Sequence, residues 1–536
     1  MRPSLPLGLL PVAAVLGVFF LWPMGLAVQA AFTSAGAWHW LADDYARNRI
    51  AGGVLQAVLS LALALAVALP LAFLHHRWRI PGSRLLLAVH AAAFVLPVFV
   101  VVAGLRETLG AGGWLDRAMG VDALSALGPW GAVALANAYY NAGLAAVLLH
   151  TALERRPRRL EEAAASLGAA PAAVWSRVSW PLLRPAAMAA ALLVFLFCLG
   201  SFGVVLLLGE GRIDTIDTLL YANLGGAFPP EDRAAVLALV QITLQGLLLV
   251  GVLALERRAA RNAVAPTPRQ RPSSAAATAT AWILAALAIT PAVAVLTGAF
   301  QVGGDWSLDA WRALTGGPDD GHLYGFNLAR AVGLSVGYAL AAVVAALALT
   351  LLLGYAAKGT AARVTEVLAF LPLGTSSVVL GFAFLFAFAG RTWLPLIGSP
   401  WGIVAAHTLI AFPFVARTVL PALRSLDASL DDSAASLGAS LPARIVRLHL
   451  PLLRGPLSVA AAFAAALSLG DYGASLILMT DDTMSIAVWI DRHGGPGAFD
   501  PLARAQSTAL AAVLLVLTLA CIVAAAALGP RRRPHA

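Results

Sequence analysis

Lysine is almost absent from this sequence. Of 36 basic residues only Lys358 is a lysine, and Gly359 follows it. A P-loop needs Lys followed by Ser or Thr, with the ammonium reaching the terminal phosphates, so the chain has no nucleotide site of that kind. Cysteine is nearly as rare. Cys198 and Cys521 both fall inside apolar runs, where a thiol behaves as a small hydrophobe, and no disulfide framework follows. Charge is scarce too, with 12% of residues charged against 60% hydrophobic. No group of His, Cys, Asp and Glu has metal-site spacing, and no catalytic constellation shows within the apolar runs. A membrane-embedded enzyme therefore has no support in the sequence.

What is present is hydrophobic length. Mean hydropathy is +0.83, which marks a polytopic membrane protein rather than a string of soluble cores. A spanning helix needs about 20 mainly apolar residues. Such runs lie near 8–31, 51–74, 85–105, 128–152, 182–208, 234–255, 279–300, 327–356, 365–390, 397–423, 452–480 and 505–529. The first run has a small-residue site near Val28-Gln29-Ala30 but exceeds a usual signal core, so an uncleaved anchor is expected.

The net charge of +9 raises nucleic acid or anionic lipid as partners. The arginines sit in short loops between apolar runs rather than on one polar face, which points to the membrane and away from nucleic acid. Positive loops stay cytoplasmic. With the amino terminus inside, the inner loops hold about 25 of the 36 basic residues and the outer loops about 19 of the 27 acidic ones. Arg155-Arg156-Pro157-Arg158-Arg159 and the terminal Arg531-Arg532-Arg533 are inside; Asp43-Asp44, Asp319-Asp320 and Asp481-Asp482 are outside. Both termini are expected in the cytoplasm.

The chain is duplicated. Residues 160–184, beginning Leu-Glu-Glu-Ala-Ala-Ala-Ser-Leu-Gly-Ala, recur at 430–454 as Leu-Asp-Asp-Ser-Ala-Ala-Ser-Leu-Gly-Ala, with 13 of 25 positions identical and no gap. One offset holds throughout: 432 − 162 = 270, 438 − 168 = 270 and 451 − 181 = 270. It continues to Gly200-Ser201-Phe202-Gly203 and Gly470-Asp471-Tyr472-Gly473. Repeats at a fixed offset imply repeated architecture. We expect a first six-helix half at 1–256, a cytoplasmic linker at 257–278 rich in Pro and Ser, and a second half at 279–536. An even number of spans per half gives both the same orientation about an axis along the membrane normal. Each repeated loop should form a short helix, a glycine turn and a second short helix, because Ala163, Ala164 and Ala165 favour helix, Gly168 permits the turn and Pro171 suits a first turn. Two such knobs on one face make a docking surface for a partner with two equivalent grooves.

These loops resemble the EAA motif of ABC-importer permeases, Glu-Ala-Ala-x-x-x-Gly followed by hydrophobic-x-Leu-Pro. The resemblance implies an all-α polytopic membrane protein with twelve transmembrane helices as two parallel six-helix repeats, the type I ABC importer permease fold. It assigns ATPase coupling to Glu162, Ala163, Ala164, Gly168 and Ala169, and to Asp432, Ala434, Gly438 and Ala439. The second copy departs at Asp432 and Ser433, and Trp180 stands where Leu is usual. The implied partners are two copies of an ABC ATPase subunit, a periplasmic solute-binding protein and membrane lipid, with ATP and Mg on the ATPase and no cofactor on this chain. The implied location is the bacterial inner membrane. A fused pair of halves is similar to the Fe(III)-type and thiamine-type importers. Leu469-Gly470-Asp471-Tyr472-Gly473 and Asp482-Thr483-Met484-Ser485-Ile486 are most like the thiamine/thiamine pyrophosphate permeases. Fe(III), phosphonates and polyamines are the alternative solutes.

Polar residues within apolar runs are candidates for the solute path. Asp471 lies 20 residues beyond Pro451, about 30 Å along an ideal helix, at a break expected from Gly470 and Gly473. A carboxylate there suits a cation, or merely caps a helix. Tyr472, Ser201, Phe202, Tyr140, Asn141 and His407 complete the set, either lining the path or bonding between helices. An ion-coupled secondary transporter would need a midplane relay of charged residues, and Asp471 is the sole strong acidic candidate.

Overall fold

Hydrocarbon offers backbone groups no water, so long apolar runs close their hydrogen bonds within helices. The computed structural model describes residues 9–33, 35–224, 231–262, 272, 274–316, 326–356, 361–390, 394–492, 495 and 500–528. Lys358, Asp319-Asp320 and Arg531-Arg532-Arg533 lie outside them. Among the described residues, 11 helices are long and apolar enough to span a membrane, or 12 if one pair bent by 93° counts as a single span. The strands among the described residues form one hairpin, β1 (Gln301–Val302) antiparallel to β2 (Asp305–Trp306).

The first repeat runs α1 (Leu10–Thr33), α2 (Asp44–Arg77), α3 (Ser83–Val95), α4 (Val98–Leu109), α5 (Ala123–Glu154), α6 (Arg158–Ser166), α7 (Pro171–Leu199), α8 (Phe202–Leu208), α9 (Ile216–Ala222) and α10 (Glu231–Asn262). The second mirrors it: α11 (Ala275–Gly298), α12 (Leu328–Ala356), α13 (Ala361–Phe370), α14 (Ser377–Phe388), α15 (Pro400–Arg424), α16 (Ala428–Ser436), α17 (Leu441–Gly470), α18 (Gly473–Leu478), α19 (Ile486–Arg492) and α20 (Pro501–Leu528). From α6 to α9 the offset stays fixed, 428 − 158 = 270 and 486 − 216 = 270. For α4 and α14 it is 377 − 98 = 279.

Four expected spans are broken. The run 85–105 divides between α3 and α4, because Pro97 lacks an N–H and holds Leu96 extended at ψ 140. The run 365–390 tightens into a 3-10 turn at Leu371–Gly374, passes through extended Thr375, and restarts where Ser376 caps α14 by accepting from the Val379 amide. The runs 182–208 and 452–480 break after Gly200 and Gly470. The linker at 257–278 is helical at both ends, since α10 continues to Asn262 and α11 starts at Ala275. Residues 263–271 between them are outside the described set.

The chain divides into two compact units, residues 31–307 and residues 1–30 with 308–536. Their boundaries differ from those of the sequence repeats. The first span of the second repeat, α11, belongs to the unit built on the first repeat, and most of α1 belongs to the other. In the 31–307 unit, α2, α5 and α7 meet through Ala57, Ala64, Ala138, Ala145 and Ala190. Small side chains allow the close approach that drives helix association in lipid. Helix α11 comes so near α4 that a Cβ on Gly104 would lie 2.4 Å from the Pro291 carbonyl oxygen. In the other unit, Ala346, Ala411, Ala460 and Ala464 give the same solution between α12, α15 and α17, and Trp22 of α1 packs edge-on against Phe388 at 5.4 Å.

Candidate functional site

Neighbouring residues on a helix project about 100° apart, so the two acids at the start of α6 cannot face one way. Glu161 is half-buried and turned into the protein, while Glu162 is exposed; Asp431 and Asp432 on α16 repeat this. The helices end identically. Gly168 and Gly438 take left-handed φ of 83° and 81°. The Gly168 amide donates to Ala165 O at 3.0 Å and the Ala169 amide to Ala164 O at 3.1 Å. Gly438 to Ala435 at 2.9 Å and Ala439 to Ala434 at 3.0 Å reproduce the pattern. These are Schellman turns, which a left-handed glycine makes without Cβ strain. Ala164, Ala169, Ala434 and Ala439 thus contribute backbone groups to the turn, and Ala163 lies exposed beside Glu162.

The turns lift one apolar residue clear of each unit. Leu167 is 89% exposed and Leu437 88%, where burial would otherwise be favoured by about 2 kcal/mol. Leu160, Trp175 and Trp180 are also exposed around the first turn, as are Leu430, Leu441 and Val446 around the second. Burial follows the same sequence of classes from 161 to 170 as from 431 to 440. Asp427 caps α16 by accepting from the Ser429 amide at 2.9 Å, and this bond holds its carboxyl below the ordinary carboxylate range. Each unit therefore presents a helix-turn-helix knob with an exposed acid, a leucine tip and an apolar rim.

Of the residues expected along a solute path, Ser201 and Asn141 join a hydrogen-bond network in the 31–307 unit and Asp471 and His407 join one in the other unit. In the 31–307 unit Asn137 of α5 is the centre. Its Oδ1 accepts from Ser201 Oγ at 2.7 Å, its Nδ2 is 3.2 Å from both Gln56 Oε1 and Ser60 Oγ of α2, and its carbonyl accepts from Asn141 Nδ2 at 2.8 Å. Gln56 Nε2 donates to the Cys198 carbonyl at 2.7 Å, beside the end of α7. Phe202 packs edge-on to Tyr221 at 5.6 Å, and the Tyr140 hydroxyl is buried without a hydrogen-bond partner among the described residues.

In the other unit His407 of α15 takes the place of Asn137, 407 − 137 = 270. Its Nδ1 meets Ser468 Oγ at 2.7 Å and its Nε2 meets Ser475 Oγ at 3.0 Å. Asp471, equivalent to Ser201, sits at the α17–α18 break. Its Oδ2 accepts from the Ser475 amide and hydroxyl, both at 2.9 Å, and lies 3.4 Å from His407 Nε2. Tyr472 beside it is 3% exposed. Chemically, both networks fasten a broken helix to its neighbours: buried polar groups bond one another.

Sequence reading does not find Gln56, Ser60, Ser468 or Ser475, since lone polar residues in apolar runs carry no spacing signal. It also passes over Gly333-Leu334-Ser335-Val336-Gly337, which has nucleophile-elbow spacing. That pentapeptide lies within α12, where Ser335 Oγ donates to Ala331 O at 2.8 Å and accepts from the Ile486 amide at 3.0 Å. An uninterrupted helix lacks the strand-to-helix turn that exposes such a serine. Among the described residues no group of three or more His, Cys, Asp and Glu side chains is placed to hold a metal.

Residues 337–534 match the family described as binding-protein-dependent transport system inner membrane component. The chain is 29% identical over 498 residues to the thiamine transport system permease protein ThiP of Escherichia coli (strain K12), covering 89% of this chain and 87% of that one. It is 28% identical over 532 residues to the protein of the same name from Brucella abortus (strain 2308), covering 96% and 94%. A probable ABC transporter permease protein, y4fN, of Sinorhizobium fredii is 25% identical over 572 residues, covering 99% and 97%.

Proposed function

We infer that this chain, a member of the binding-protein-dependent transport system inner membrane components, is the transmembrane permease subunit of an ABC importer, and that its solute is thiamine or a thiamine phosphate. It is a multi-pass inner-membrane transport subunit rather than an enzyme. In the finer reading both termini face the cytoplasm, and the halves 1–256 and 279–536 are the functional repeats. Two copies of a separate ATPase, which holds the ATP and Mg, grip the knobs at Glu162–Ala169 and Asp432–Ala439. A periplasmic binding protein delivers solute to the opposite face. The thiamine assignment is supported by the relatives' names over most of the chain.

The observation that carries this reading is the pair of matching knobs, each with a leucine almost wholly exposed at its tip. Such a residue gains its burial from a partner, and a central apolar anchor carries a large share of interface energy. Replacing Leu167 or Leu437 with Asp is expected to weaken co-purification of the ATPase by about tenfold or more, the loss of a hot-spot contact. Full retention by both variants contradicts docking at these tips. Uptake of labelled thiamine by the reconstituted complex, compared with ferric ion, a phosphonate and a polyamine, tests the solute. Ferric uptake alone would replace the thiamine assignment.

A further inference from the structure

We propose that Glu161 and Asp431, the inward acids of the two pairs, are positioning residues that tether each knob to the second span of its repeat and so carry force between knob and membrane. In the first repeat Glu161 Oε1 accepts from Arg156 Nη1 at 2.9 Å and from Ser179 Oγ at 2.7 Å. Arg156 Nη2 reaches His76 Nε2, at the end of α2, at 3.1 Å. A guanidinium only donates, so His76 accepts on that nitrogen. Arg156 also donates from Nε to the Leu153 carbonyl at 3.1 Å and lies 5.8 Å from the Trp175 ring centre. Burial pulls the Arg156 pKa down and Glu161 opposes the shift; an arginine remains charged regardless.

The second repeat makes the same connection with different residues. Asp431 Oδ2 accepts from Arg444 Nη1 at 2.7 Å, and Oδ1 lies 3.0 Å from His449 Nε2. His449 Nδ1 lies 2.9 Å from the Tyr355 hydroxyl at the end of α12, with the two rings stacked at 5.7 Å. A carboxylate only accepts, so Nε2 carries the proton that faces Asp431, and Nδ1 shares a hydrogen bond with the Tyr355 hydroxyl. The chain of contacts runs from knob to carboxylate to cation or imidazole to second span.

Numbering shows that the connection is equivalent while its parts are not. Glu161 and Asp431, and Ser179 and His449, are related by 270; His76 and Tyr355 are related by 355 − 76 = 279, the offset that relates α4 to α14. Only the cation changes side. Arg156 precedes its acid, and Leu426 occupies the matching place; Arg444 follows its acid, and Val174 occupies the matching place. Two different ion pairs thus restrain the same carboxylate position. The pairs are sheltered, with side-chain exposures of 11% and 22% for Arg156 and Glu161 and 19% and 34% for Arg444 and Asp431, where charge-assisted bonds hold better than at an open surface. Each knob continues directly into α7 or α17, and the tie adds the second span to what a partner moving the knob would carry.

This role in coupling rests on the knobs being ATPase docking sites; the tether itself does not. The test therefore has two arms. Hydrogen exchange on the full-length permease alone, in lipid nanodiscs, reads the α6 and α16 amides in Glu161→Gln and Asp431→Asn. Each variant is expected to speed exchange in its own knob by about tenfold, as loss of a bond to a charged group predicts. Glu161→Asp, and Arg156→Glu combined with Glu161→Arg, should recover part of the protection. Unchanged exchange in both acid variants overturns the tether whether or not the chain is an importer. In the reconstituted complex, the same variants are expected to keep ATPase co-purification but to lower solute uptake per ATP hydrolysed by threefold or more (about half a decade). Faster exchange with normal uptake per ATP overturns the coupling role.

Discussion

Ser201 donates to Asn137 across 2.7 Å, joining the residue just beyond the α7 break to the interior of α5. At the equivalent places of the second repeat, Asp471 and His407 stand 3.4 Å apart. A hydroxyl–amide pair in one repeat is a carboxylate–imidazole pair in the other. Both close the gap in a broken span, but they differ in what happens when one partner is removed.

His407→Leu removes the imidazole from Ser468, Ser475 and a carboxylate that is 8% exposed. Taking a partner from a buried charged group costs about 3 kcal/mol or more, even though Ser475 still donates to it. Asp471→Asn keeps an oxygen to accept from the Ser475 amide and hydroxyl, and should cost about 1 kcal/mol. Asn137→Leu strands only neutral groups on Gln56 and Ser201, about 1–3 kcal/mol. Thermal unfolding in detergent should rank His407→Leu as the most damaging of the three. Equal losses for His407→Leu and Asp471→Asn would show that Asp471 does not depend on the imidazole.

At Gly168 and Gly438 an added Cβ meets no atom within 4 Å. Substitution there is opposed by backbone conformation alone, by about 1–2 kcal/mol for an ordinary residue in the left-handed region. Asn tolerates that region better than Ala, and β-branched Val worse. Uptake should fall in the order Gly, Asn, Ala, Val at both positions, with Val abolishing it. If Val and Asn prove equivalent, the left-handed turn is not what the knob requires.

Two glycines mark the tightest helix contacts of the 31–307 unit. A Cβ on Gly143 would come 2.0 Å from His90 O, and one on Gly104 would come 2.4 Å from Pro291 O. Both obstacles are backbone atoms, so rotamer changes bring no relief, and overpacking of about 1–3 kcal/mol or more is expected. Gly143→Ala and Gly104→Ala should lower the melting temperature of the purified permease, whereas Gly333→Ala, with open space around its Cβ, should not. Normal melting of both tight variants would mean that α11 and α3 do not lie this close.

The knobs were legible because each is built from neighbours in sequence: alanines that favour helix, a glycine that turns, and a repeat that fixes their position. The motif picks out Glu162 and Asp432, the exposed acids, yet is silent on Glu161 and Asp431, whose chains of contacts run through Arg156 and His449 to His76 and Tyr355 on another span. The interruption near Gly470 was equally readable. The break at Pro97 was missed, because an apolar run reads as continuous hydropathy even where proline removes a hydrogen bond.

Sequence by itself determined the number of apolar runs, the duplication at an offset of 270 and the glycine turns, because helix closure in hydrocarbon and left-handed backbone are local demands. Tertiary structure alone decided which acid of each pair turns inward, that α1 and α11 each join the unit of the opposite repeat, and that lone polar residues such as Gln56 and Ser468 complete networks. Those outcomes depend on which helices pack closely enough for groups far apart in the chain, such as Gln56 and Cys198, to come within 2.7 Å, and no local preference encodes that distance.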